Sequence, residues 1–159
     1  MASEAAAVTH AAVRDALGRG RLPAWVDPAA MPDSAKRAGP LGAAIHRGWW
    51  ANGAPEPRLV AEMGRISRSD ALLVVELFRI GASRTKLAMR GRGTGVRPVA
   101  GTDGDWVSCG IRIALIRAPG GQSAWEGAAL DSRPRTGDGD QEVSIRACVN
   151  EVMARFPRR

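Results

Sequence analysis

The chain has 159 residues, the length of one domain built around one hydrophobic core. Apolar residues make up 45% and charged residues 25%, the balance of an ordinary globular protein, which excludes disorder along the whole chain. Basic residues outnumber acidic ones by 23 to 16, a net charge of +7, and no apolar run approaches the roughly 20 residues of a membrane-spanning helix.

Ser3 is placed to cap a first helix that runs to about Leu17 and carries Val8, Ala12, Val13, Ala16 and Leu17 along one side; Gly18 and Gly20 then stop it. A short extended piece follows at 22–26. Pro28, Pro32, Pro40, Pro55 and Pro57 keep the next stretch irregular, with room for one brief helical turn around 41–50. Pro57 suits the first turn of a second helix with Leu59, Val60, Met63 and Ile66 at helical spacing.

Residues 71–80, Ala-Leu-Leu-Val-Val-Glu-Leu-Phe-Arg-Ile, read as a central strand apolar on both faces. The Gly-, Arg- and Thr-rich stretch 81–105 reads as a long hairpin connection. A second strand over 106–117 turns Val107, Cys109, Ile111, Ile113 and Leu115 inward, with Ser108, Arg112 and Ala114 alternating. Ala118-Pro-Gly-Gly121 makes a turn into a third strand at 122–133. Asp138, three residues before Gln141, or Asp140 caps a last helix, in which Ile145, Val149, Val152 and Phe156 form the apolar stripe. The whole is an α/β chain, an α+β sandwich in one domain, with a mainly antiparallel sheet of about four strands packed by two or three helices.

Between Glu76 and Asp103 every charged residue is basic: Arg79, Arg84, Lys86, Arg90, Arg92 and Arg97. Six cations on a hairpin suit a grip on phosphates, lipid headgroups or an acidic partner. Solvation of a loop is the plainer account of the same residues. Gly91-Arg-Gly-Thr-Gly95 lies between strands with no helix after it, so it reads as a turn and not as a nucleotide-binding loop. Trp49 and Trp50 are adjacent; one ring facing the core leaves the other as a candidate partner anchor.

The two histidines, His10 and His46, have no second ligand at metal-binding spacing. The acidic residues Asp103 and Asp105 suit a turn, and Asp138, Asp140 and Glu142 a helix N-terminus. Glu76, alone in an apolar strand, is accounted for by a strand edge facing solvent. Cys109 and Cys148 read as small core residues, open to bridging if strand and helix pack together. No catalytic, cofactor or metal residues are expected.

Leu59-Val-Ala-Glu-Met leads into Ser69-Asp-Ala-Leu-Leu-Val-Val-Glu-Leu; Val107-Ser-Cys-Gly-Ile-Arg-Ile-Ala-Leu-Ile follows a variable loop, and then Ala124-Trp-Glu-Gly127. Over about 59–130 this resembles the bacterial envelope domains related to the curli secretion lipoprotein, the TolB amino-terminal domain and the outer-membrane activators of penicillin-binding proteins. Their strands read "ADALLVG" and "DxxTGxxxWxG". Arg117-Ala-Pro-Gly-Gly121 replaces the usual Asp-Ala-Arg-Thr-Gly, and neither the family's first strand nor its lipid-bearing cysteine is matched.

The resemblance implies a non-enzymatic accessory or assembly role in a periplasmic or outer-membrane complex, through protein partners or self-association. The N-terminus lacks the basic and apolar regions of a signal peptide, so the sequence as written is expected in the cytoplasm. There the alternative is a nucleic-acid-binding protein using the same arginines.

Overall fold

The computed structural model describes residues 2–19, 39–90 and 97–157. Among these are four helices, α1 (Ala2–Arg19), α2 (Gly39–Asn52), α3 (Pro57–Ser67) and α4 (Asp140–Ala154), and three strands, β1 (Ala71–Arg90), β2 (Arg97–Arg117) and β3 (Ser123–Pro134). The strands form one antiparallel α+β sheet in the order β1-β2-β3. The expected short strand at 22–26 lies outside the described residues.

The register is legible in side chains. Glu76 pairs with Arg112, and two positions on in β1 the Phe78 ring covers Gly110, two positions back in β2. Opposite travel along the two strands is the signature of antiparallel pairing. On the other side of β2, Ser108 bonds to Ser132 at 2.9 Å. The Arg135 amide donates to the Asp105 carbonyl, so β3 leaves the sheet at that level. Among the described strands, residues 97–104 of β2 therefore run on with β1 alone, as a two-stranded ribbon.

Packing divides into two units. The first holds α1, the span Val75–Ile113, and the chain from Gly127 onward with α4. Alanine-rich α1 has high intrinsic helix propensity and packs along α4. Its buried face is Ala5, Thr9, Ala12, Val13 and Leu17, with Val8 and Ala16 half-buried. Thr9 is accommodated because its hydroxyl donates to the Ala5 carbonyl at 2.7 Å. Ser3 lies inside the helix and is not its cap. From α4 come Ile145, Cys148, Val149, Val152 and Met153, all buried. Each large aliphatic side chain so enclosed contributes about 1.5–3 kcal/mol relative to exposure.

The second unit comprises α2, α3, the start of β1, and Ala114–Glu126. Its core is Ile45, Trp49, Val60, Ala114 and Ile116, with Leu41, Leu59, Met63, Leu72 and Val74 packed around it. Here α2 replaces the expected brief turn with 14 residues of helix. Glycines and Pro40 lower its intrinsic propensity; Leu41, Ile45 and Trp49, spaced by four, supply a buried stripe that outweighs them. Gly53 closes α2 in the left-handed region (φ 70), its amide donating to the Trp49 carbonyl.

Three further expectations are corrected. Strand β1 extends ten residues past 80 and β2 begins at Arg97, so most of the presumed connection is strand; cross-strand pairing overrides the Gly-, Ser- and Thr-rich composition. Strand β2 is central and enclosed on both faces, so Ser108 and Ala114 are buried along with Cys109, Ile111 and Ile113, while Leu115 is only half-buried. The N-cap position of α4 is Gly139, without a side-chain cap. Asp140, one residue later, reaches back to accept the amides of Thr136 and Gly137.

Candidate functional site

Two sites grow out of this framework, one exposed and one enclosed. The exposed one is the β1–β2 ribbon. Arg79 and Arg84 are both exposed on β1. Five positions apart, they would face opposite sides of an unbroken strand. Gly81, with φ 138, breaks the pleat between them, and Ala82 and Arg84 take up the exposed phase after it. Gly104 on β2 has φ 151, a second departure from regular pleating in the same ribbon. Glycine alone enters this region without strain.

Lys86 and Arg90 occupy the far end of β1, and Arg97 opens β2; their side chains are outside the described residues, as is all of Arg92 with the 91–95 glycine turn. The strands thus carry five of the six predicted cations on one hairpin, two of them with described, exposed side chains. Trp49 does not join them. Only 1% exposed, it is a core residue of the second unit, which removes it as a partner anchor. Trp50 follows it in α2, and its side chain is outside the described residues.

At the base of the ribbon lies a feature that sequence reasoning misread. Glu76 does not face solvent: it is buried, and its Oε2 accepts from Arg112 Nη2 at 3.2 Å. The side chains retain 8% and 16% exposure, respectively. The signal available in sequence was a lone carboxylate in one apolar strand and an arginine amid the apolar run of the other. Only the register makes them partners.

The enclosed site joins β2, β3 and α4. Asp131 accepts from Ser144 Oγ at 2.7 Å and from Arg133 Nε at 2.7 Å. Its own amide donates to Cys148 Sγ at 3.1 Å, and Cys148 in turn donates to the Cys109 carbonyl at 3.0 Å. Ser144 is fully buried, so this carboxylate satisfies a hydroxyl that would otherwise be costly to enclose. Bonding to Asp131 also holds the Arg133 guanidinium above its ordinary pKa. Cys109 and Cys148 are both buried free thiols. The Cys109 thiol is pushed well above its usual pKa, first by its hydrogen bond with the Cys148 thiol and then by burial.

A shallow cleft of about 620 Å³ runs beside α1 and α4, lined by Arg14, Asp15, Arg146 and Asn150 among others. Its charges are matched: Asp15 lies 3.9 Å from Arg14 and 3.7 Å from Arg146, which also bonds Glu142 at 2.9 Å. Among the described residues, no three His, Cys, Asp or Glu side chains are grouped to hold a metal ion. Nor is any described helix long and apolar enough to cross a membrane.

No protein-family model and no curated protein matches the chain. Among solved structures it is similar to the crystal structure of the lipoprotein GNA1162 from Neisseria meningitidis. The identity is 16% and the TM-score 0.37, over 76% of this chain and 83% of that one. A likeness at that level carries no argument about what the chain does.

Proposed function

We propose that this protein is a non-enzymatic accessory or assembly subunit of a bacterial envelope complex, which joins its partners, or further copies of itself, through the β1–β2 ribbon and the adjoining sheet edge. The observation that supports this reading best is the ribbon: among the described strands β1, 20 residues long, lies at an edge of the sheet and is paired with β2 alone. Long edge strands offer a row of backbone donors and acceptors to another chain. Arg79 and Arg84, exposed along that edge, favour an acidic counterpart and discourage indiscriminate pairing. The sequence resemblance over 59–130 points the same way.

The same ribbon has the form of the two-stranded readers of nucleic acid, and its cations keep the alternative of a nucleic-acid-binding protein in view. One experiment separates the two. The full chain and an Arg79→Glu/Arg84→Glu variant are compared by sedimentation velocity for self-association, and by fluorescence anisotropy for binding to duplex DNA and RNA, at low and physiological salt. Self-association that the variant loses supports the assembly role. Nucleic-acid binding that falls steeply with salt and vanishes in the variant, without self-association, overturns it in favour of the alternative. Indifference of every measurement to the two substitutions refutes the use of the ribbon altogether.

A further inference from the structure

The two cysteines stand 39 positions apart, one in the central strand and one in the last helix, and each has 0% exposure. The fold brings the two residues into contact. Cys148 Sγ lies 3.0 Å from the carbonyl oxygen of Cys109 itself. The Cys148 sulfur is fixed from a second side by the Asp131 amide at 3.1 Å. Ser144, one turn earlier in α4, is anchored to the Asp131 carboxylate at 2.7 Å, so helix, edge strand and central strand are registered to one another at this point. A thiol that serves only as a small apolar filler needs no polar framework to hold its direction.

We infer that Cys109 and Cys148 are a disulfide-forming pair, which closes into an intrachain bond when the chain folds in the presence of a disulfide donor and so ties α4 to the central strand. The exchange is balanced by a small oxidised disulfide, R–S–S–R. One protein thiolate attacks it, breaking its S–S bond and releasing one R–S⁻; the second protein sulfur then attacks the mixed disulfide and releases the other. One S–S bond forms in the protein and one is lost from the reagent. The two protein sulfurs are oxidised, the two reagent sulfurs are reduced, and the two protons end on the released thiols.

Burial sets when this happens. Enclosed thiols held in the protonated form are poor nucleophiles, so the packed, reduced protein resists the reagent. The bond forms before α4 docks, or whenever it opens. The inference does not depend on the assembly role, because it concerns a bond within one chain.

The test refolds the full chain from denaturant either with a mixture of oxidised and reduced glutathione or with dithiothreitol. Products are alkylated under denaturing conditions and digested with trypsin without reduction. The Arg97-Pro98 bond resists trypsin, so Cys109 lies in the peptide 93–112 and Cys148 in the peptide 147–155. In the glutathione arm these two peptides are expected as one species, lighter than their sum by about 2 Da for the two hydrogens lost. The monomer should take up no alkyl groups, against two in the dithiothreitol arm. Closing a loop of this size should raise the thermal midpoint by about 5–15 °C. Cys109→Ala and Cys148→Ala should each take up one alkyl group in both arms. Two alkylated thiols in the glutathione arm, or disulfide-linked dimers as the main product, overturn the inference. So does an intrachain bond that lowers the midpoint, since the pairing would then distort the packed geometry.

Discussion

The Glu76–Arg112 pair invites a double-mutant cycle. The charged atoms are 3.2 Å apart, and the side chains keep 8% and 16% of their exposure, so solvent screens them little. At an effective dielectric constant of about 20, two unit charges at that distance attract by about 5 kcal/mol. Much of this is offset by the cost of taking both groups out of water. Removing one partner forfeits the attraction while the other charge stays enclosed, a loss of about 3–5 kcal/mol for fully buried pairs. The single 3.2 Å contact and the residual exposure of Arg112 place the expectation at the low end, about 3 kcal/mol for Glu76→Leu and for Arg112→Leu.

The double replacement removes both desolvation costs and adds apolar surface, so it is expected to cost less than either single change. Equilibrium urea unfolding of the four proteins gives the coupling energy directly. Because the pair also specifies which residue of β1 opposes which residue of β2, the single variants should show lower m-values if the register loosens. Single costs below about 1 kcal/mol, with a coupling within about 0.5 kcal/mol of zero, would refute the reasoning, because that is how an exposed pair behaves.

Trp49→Ala is expected to cost about 3–5 kcal/mol in the same denaturation assay, since the indole fills the core of the α2–α3 unit. Two glycines should respond with opposite signs. A Cβ on Gly64 would lie 2.5 Å from the Ala118 Cβ and 3.0 Å from the Ser69 carbonyl, so Gly64→Ala should destabilise by about 1–2 kcal/mol despite the gain in helix propensity. At Gly18 nothing lies within 4 Å, and Gly18→Ala should stabilise by up to about 1 kcal/mol. The Asp140 carboxyl is held below its ordinary value of 3.8, chiefly by the Thr136 and Gly137 amides. A depressed carboxylate stabilises above its unfolded pKa and loses that effect as pH falls through the folded one. Melting temperatures of wild type and Asp140→Ala should therefore differ by a constant amount above about pH 4–5 and converge below 3.8.

Local sequence determined the elements whose signals are themselves local. Pro57 and the 59–66 spacing mark α3, the apolar runs at 71–80 and 106–117 mark the hearts of β1 and β2, and Ile145, Val149 and Val152 mark the buried face of α4. From these the α+β class followed, and the order of charges between Glu76 and Asp103 displayed the clustering of cations on one hairpin.

What only the tertiary structure decided depends on partners distant in the chain. Helix α2 exists because Ile45 and Trp49 meet Val60, Ala114 and Ile116, and no propensity within 39–52 would say so. The ribbon past residue 80 exists because each arm supplies the other's hydrogen bonds. Glu76 found Arg112, Asp131 found Ser144, and Cys148 came to rest against Cys109, each across 13 to 39 positions. Side-chain spacing encodes which face of an element is apolar, but the register between elements is set by packing, and it is register that brings polar groups together.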